Sequence, residues 1–213
     1  MTKENIILNG VEYTIKKTKQ KQLVCGIGIN DANYTVKPII NGKTICCPYY
    51  SRWKEMLVRA YSDKLHQRQP TYKDTIVCNE WLSFMNFREW MTKQKWEGLE
   101  LDKDIIKPNN KVYSPNHCCF VTKQLNTLLI DCGSSRGDCE LGVTFDKERN
   151  KFMSSISIHG KRKFLGRYSS EIDAHQAYLI AKIDYIKTFY PFVSKQIKKG
   201  LKKHIKLLEK GLK

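Results

Sequence analysis

Two carboxylates, a histidine and an asparagine fall within one short stretch of this chain, LDKDIIKPNNKVYSPNHCCFVTKQLN, which runs from Leu101 to Asn126. Asp102 and Asp104 offer hard oxygen donors of the kind that hold Mg²⁺ or Mn²⁺. His117 is the side chain there whose ordinary pKa lies nearest neutrality, so it is the nearest candidate to take a proton from water. A divalent cation neutralises charge building on a phosphate and its leaving oxygen, while a base activates the attacking water. The stretch therefore holds the raw material of a compact divalent-metal site, with Mg²⁺ expected first and Mn²⁺ as the alternative.

Charge says what such a site would act on. The chain of 213 residues carries a formal net charge of +17, distributed as +4 over residues 1–50, +2 over 51–140 and +11 over 141–213. A basic C-terminal third beside a nearly neutral centre suggests a division of labour. The end holds a polyanion, nucleic acid, by phosphate contacts and counterion release, and the centre keeps its carboxylates for something else. No apolar run approaches membrane-spanning length, and the opening MTKENIILNG lacks the apolar stretch of a signal peptide. A cytoplasmic location without a membrane partner is the expectation. The eight cysteines show no C-x-x-C spacing and read as reduced, mostly buried thiols, so no structural zinc is expected.

The elements that must position these residues follow from hydrophobic period and turn signals. Residues 1–48 mix β-like pieces (VEYTI, LVCGIGI) with turns at Asn9–Gly10 and Asn41–Gly42, an N-terminal extension. Trp53, Met56, Leu57, Ala60 and Tyr61 recur on one helical face, and a second helix, dense in aromatics, is expected over Asn79–Met91. Its Trp81, Phe84, Phe87 and Trp90 read as packed core. A strand beginning at Gly98–Asp102, a turn at Lys107–Asn110, extended pieces at Val112–Tyr113 and Cys119–Val121, and a short helix over Lys123–Ile130 follow. The small polar run DCGSSRGDCE, residues 131–140, reads as a linker.

Beyond the linker, LGVTFD, KFMSSISIHG and KRKFLGRYS read as three strands with turns between them, and Ser169–Ser170 as the cap of a helix with an Ala-rich face. The tail sets Val193, Ile197, Leu201, Ile205, Leu208 and Leu212 on one stripe among eight lysines. That amphipathic helix could dock on the protein, track phosphates or lie on an anionic membrane.

The run GVTFDKERNKFMSSISIHGKRKFLGRYSSEIDAHQAY, with its LG-x-Y step and Ala-rich helix, resembles the Apetala/ethylene-response-factor DNA-binding domain over about Leu141–Tyr190. That resemblance implies a sheet laid in the major groove of double-stranded DNA. Thr144, Arg149, Ser155, Ser157, Arg162 and Phe164 match its contact positions, and Lys151, Lys161 and Lys163 join Arg149 and Arg162 as phosphate contacts. Thr and Ser stand at several positions where the family carries Arg and Trp.

The pattern W-x₂-ML-x-R-x-Y…VCNEWLSFMNF…LDKD…NKVYSPNHCCFVT…N resembles the HNH endonucleases of bacteriophages, often free-standing homing-type enzymes, some joined to an Apetala-type domain. The resemblance implies a ββα-metal unit that nicks or cuts duplex DNA. By it, Asp102 is the first-strand metal ligand and Asn126 a ligand through its amide oxygen, with Asp104 a further or alternative ligand. Lys103 stands where the family's general-base histidine would be, and His117 stands on the middle asparagine. A lysine with an ordinary pKa near 10.4 is protonated at neutral pH. It can hold the scissile phosphate or stabilise the transition state instead, leaving Asp102, Lys103 and His117 as the candidate catalytic set.

The fold expected is α+β. A small HNH-like ββα unit with flanking helices occupies 49–130, and a three-stranded antiparallel sheet on one helix occupies 141–191. A basic helix occupies 192–213. The function expected is metal-dependent cleavage of duplex DNA, with DNA binding on a catalytically silent scaffold as the alternative.

Overall fold

The computed structural model describes residues 3–8, 11–16, 23–130 and 138–212. The described residues form a mixed α and β structure with six α-helices and several small sheets. Most of the linker read at 131–140, and the turn at Asn9–Gly10, lie outside the described residues. The chain divides into two compact units, Met1–Glu97 with Asn110–Cys118, and Gly98–Asn109 with Cys119–Lys213.

In the first unit an antiparallel hairpin, β1 (Lys3–Leu8) with β2 (Val11–Lys16), precedes two short ones. These are β3 (Leu23–Val24) with β4 (Gly28–Ile29), and β5 (Ile39–Ile40) with β6 (Lys43–Thr44). Asn41 and Gly42 join the last pair with φ of 49° and 74°, the two positive values a tight hairpin turn demands. Helix α1 (Pro48–Tyr61) opens with proline in its first turn and buries Trp53, Met56 and Leu57 completely. After α2 (Asp63–Arg68) and a 3₁₀ turn, β7 (Ile76–Val77) pairs in parallel with a later strand, β9 (Val112–Tyr113).

The aromatic segment Asn79–Met91 is not one helix. Asn79–Leu82 form a 3₁₀ turn, and Ser83 in extended backbone then caps α3 (Phe84–Thr92), its Oγ accepting from the Asn86 N–H. Asp31 fixes that junction from outside, accepting from Ser83 Oγ at 2.6 Å and from the Met85 N–H at 2.9 Å. Trp81, Phe84 and Phe87 are buried core, as their spacing implies, and the Trp53 indole donates to the Trp81 carbonyl at 2.7 Å.

In the second unit β8 (Glu100–Asp102) pairs antiparallel with β10 (Cys119–Val121), and α4 (Lys123–Leu129) follows and packs on β8. Strands β11 (Val143–Asp146), β12 (Lys151–Ile158) and β13 (Lys161–Tyr168) form an antiparallel sheet in that order. Helix α5 (Glu171–Lys187), capped by Ser170, covers one face of that sheet. Helix α6 (Lys195–Glu209) packs on α5.

One core joins these pieces: Ile105, Val121 and Leu125 meet Ile183 and Ile186 of α5 and Ile197, Leu201 and Ile205 of α6. The compact units therefore do not follow the boundary drawn at residue 130. Segments 98–109 and 119–130 are held by the C-terminal helices, and 192–213 is part of that core rather than a separate tail. The reason is packing: the apolar stripe of α6 has its partners in the turn after β8 and in α4.

Candidate functional site

Asp102 stands at the end of β8, opposite Cys119 of β10. Its Oδ1 accepts two backbone hydrogen bonds, from the N–H groups of Asp104 and Ile105, each at 2.7 Å. The chain thus turns sharply around its own carboxylate, in the manner of an Asx turn. Burial raises the Asp102 carboxyl above its ordinary value, with the neighbouring Asp104 charge adding to the rise, against the two backbone N–H groups and Lys103, which lower it. Burial likewise pushes the Cys119 thiol up, and the Asp102 charge across the strand pair adds to it.

Lys103 is buried at 6% exposure, and its ammonium donates to both carboxylate oxygens of Asp104, at 2.8 and 2.7 Å. Both oxygens of Asp104 are thereby engaged. Lys103 and Asp104 form a salt bridge in which the lysine is enclosed and the carboxylate partly exposed.

Helix α6 grips this turn from the other side. A Cβ on Gly200 would meet the Ile105 carbonyl carbon and the Ile106 Cα at 2.9 Å, and the Ile105 oxygen closer still. Only glycine admits so close a backbone approach. His204 Nε2 hydrogen-bonds to the Asp104 carbonyl oxygen at 3.0 Å, and Lys203 Nζ to that of Ile106 at 3.3 Å. Burial lowers the His204 pKa, and Nε2 is the donor because a carbonyl oxygen can only accept. Gly200, Lys203 and His204 were not among the candidates read from sequence, because nothing local couples positions about a hundred residues apart.

Asn126 lies on the second turn of α4, half-buried, and its side-chain amide makes no hydrogen bond among the described residues. Asp102, Lys103, Asp104 and Asn126 thus share one unit, on β8, on the turn after it and on α4. His117 belongs to the other unit, in the turn after β9, with its Nδ1 3.0 Å from Ser114 Oγ. Among the described residues no three His, Cys, Asp or Glu side chains gather in a metal-holding group.

The second set of candidates lies on the three-stranded sheet. Val143, Ser154 and Ile156 are buried on the side of the sheet where α5 packs. Strand alternation then puts Thr144, Ser155 and Ser157 on the open side, and the register adds Arg162 opposite Ser157 and Phe164 opposite Ser155. Phe164 is 53% exposed, and Arg162 Nε donates to Ser155 Oγ at 2.9 Å. Arg149 and Lys151 sit at the β11–β12 turn, Arg149 paired with Asp146 at 3.3 Å and Lys151 donating to Ser169 at 2.7 Å.

Two lysines go elsewhere. Lys161 and Lys163 lie opposite Ile158 and Ile156, on the α5 side, and Lys163 lines a cleft with Ala177 and Ala181. Arg167 is the residue that strand counting misses. Simple alternation from Phe164 reaches Gly166, but Leu165 is an extra residue in β13, and this bulge turns Arg167 to the open face opposite Met153. There its guanidinium lies 5.2 Å from the Phe164 ring centroid and its Nε 3.5 Å from Asp146. The Gly166–Arg–Tyr sequence is the available signal, since glycine inside a strand often marks a bulge.

No helix among the described residues is long and apolar enough to cross a membrane. Compared with known proteins, the chain matches no family model, no curated protein and no solved structure.

Proposed function

We propose that this chain binds duplex DNA through the open face of the β11–β12–β13 sheet. The observation that carries this reading is the side-chain set on that face: Thr144, Ser155, Ser157, Arg162, Phe164 and Arg167. Hydroxyls, a guanidinium fork and an exposed aromatic ring are the groups that read base edges and thymine methyls in a major groove. A β-sheet face is among the elements that fit there. Arg149 and Lys151, at the rim, supply phosphate contacts, and the excess of positive charge in residues 141–213 supplies the long-range attraction.

The test is anisotropy of a labelled duplex, titrated with wild type and with the Arg162→Ala/Phe164→Ala double variant across a salt series. Wild-type affinity should fall steeply with salt, and the double variant should bind about tenfold or more weakly, as expected for losing base contacts of 1–3 kcal/mol each. Salt-insensitive binding, or equal binding by both proteins, would sink the reading.

A second reading, metal-dependent nicking of DNA by an HNH-type ββα unit, is favoured by one specific observation. Two antiparallel strands and a helix follow in the required order, with Asp102 ending the first strand and Asn126 on the helix packed against it. Asp102 and Asn126 are the residues that would hold Mg²⁺ or Mn²⁺, since Lys103 engages both oxygens of Asp104. One or two protein oxygens, with waters and substrate phosphate completing the shell, suit Mg²⁺. A bound cation would polarise the phosphate and acidify an attacking water. Asp102 would hold it through a carboxylate already oriented by two backbone N–H groups, and Asn126 would orient it from the helix. Lys103, enclosed with Asp104 as its partner, would hold the turn that carries Asp102 and would not act as a base. Incubation of supercoiled plasmid carrying the native flanking DNA with Mg²⁺ or Mn²⁺ decides between the two. Nicking by wild type that Asp102→Asn abolishes supports the nuclease, and no nicking leaves a DNA-binding scaffold.

A further inference from the structure

We infer that the outer row of α6, formed by Lys195, Lys199, Lys202 and Lys206 and continued by Lys210 at its C-terminal cap, is a phosphate-backbone binding surface separate from the sheet. This inference rests on the DNA-binding reading and extends it to a second surface. At 3.6 residues per turn the five lysines lie within about 80° of arc, and they span about 22 Å along the axis. All five are exposed, and none of their ammonium groups is hydrogen-bonded or ion-paired among the described residues. Glu209 is the single acid in the helix.

The packing of α6 decides what this row can meet. An amphipathic helix could lie on an anionic membrane if its apolar face were free. Here that face is spent: Ile197, Leu201 and Ile205 are buried against Ile105, Leu125, Ile183 and Ile186. Lys203 is also excluded from the row, because its ammonium is engaged by the Ile106 carbonyl. What remains outward is an unneutralised line of charge on a rigid helix, held in place by Gly200 and His204.

The row carries about one charge per 5 Å, and duplex DNA, with about one phosphate charge per 1.7 Å of axis, offers enough phosphates along that length to meet every lysine in it. Ordering lysines along a helix fixed by its own core costs less than ordering a flexible tail. Because α5 meets the sheet core through Tyr178 and Tyr185 and α6 through Ile183 and Ile186, the row is a second basic surface, not the edge of the first. It carries lysines alone, with no hydroxyl, amide or aromatic side chain among them, so its contribution is chiefly to affinity through phosphate contacts.

The test uses the full chain and the triple variant Lys199→Gln/Lys202→Gln/Lys206→Gln, whose changes touch no core residue. Its thermal unfolding should match wild type. A charge-matched control, Lys43→Gln/Lys64→Gln/Lys95→Gln, removes three exposed lysines of the other unit. Duplex binding is followed between about 50 and 200 mM salt, and the row predicts that the slope of log affinity against log salt falls by about 2.7 for the α6 variant. The control should change it little, and the α6 variant should lose affinity equally for all duplex sequences.

An unchanged slope in the α6 variant, or an equal loss in the control, overturns the inference while leaving the sheet intact as the DNA surface. Absence of duplex binding by wild type overturns both. Vesicles of phosphatidylcholine with phosphatidylserine form the last arm. If the α6 variant loses vesicle binding but keeps its DNA slope, the row serves a lipid surface and the inference fails.

Discussion

Asp102 brings both a hydrogen-bonding oxygen and a charge to its turn, and the two can be separated by one atom. Its Oδ1 satisfies the N–H groups of Asp104 and Ile105 where the chain leaves β8 and turns into the core at Ile105. Its charge is disfavoured by burial, the larger effect, and favoured by the same two N–H groups. Asp102→Ala should therefore lose about 1–3 kcal/mol, the cost of leaving buried donors unpaired. Asp102→Asn, which keeps an oxygen in the same place, should unfold in urea close to wild type while losing any metal-dependent activity. Equal destabilisation by both would mean that the charge itself holds the turn. The candidate position of Asp102 is legible in LDKD, but its role as a turn acceptor is not, because the same residues suit a metal ligand. The burial of Lys103 is equally hidden, since no local pattern marks a lysine that will be enclosed with Asp104 as its partner.

At the scale of elements, spacing alone finds α1, α4, α5 and α6 and the three strands of the sheet to within a few residues. Period is a local property, and these elements are amphipathic enough to show it. It fails at Ser83, where an aromatic run reads as one helix although a cap interrupts it, and at Leu165, where a bulge changes the face of everything beyond. The docking of α6 is of a third kind, fixed by a contact with no periodic signature. Gly200 sits mid-helix, where alanine would ordinarily stabilise by about 1 kcal/mol. Here the added Cβ would collide with the backbone of Ile105 and Ile106, which cannot rotate away as a side chain would. Gly200→Ala should accordingly destabilise, by about 1–3 kcal/mol or more, with a lower urea midpoint. A midpoint at or above wild type would show that α6 shifts freely on the turn after β8.

For the whole molecule, the interleaving of the chain between two units makes a prediction that no single element makes. The C-terminal helix closes a core whose other walls come from residues 98–109, 119–130 and α5, so deleting 192–213 should cost far more helix than α6 itself contains. The four tryptophans, Trp53, Trp81, Trp90 and Trp96, all belong to the unit that lacks α6. Tryptophan emission therefore reads one unit, and far-ultraviolet circular dichroism reads both. In the deletion, exposure of Ile105, Leu125, Ile183 and Ile186 should unravel α4 and α5 and promote association through those side chains. The helical signal should fall by well over the share of α6, while the buried environment of Trp53 and Trp81 keeps its emission near that of wild type. If the signal falls only by α6's own share and the remainder still melts cooperatively, the last helix is an appendage. The core that joins Ile105 to Leu201 would then contribute little to the fold.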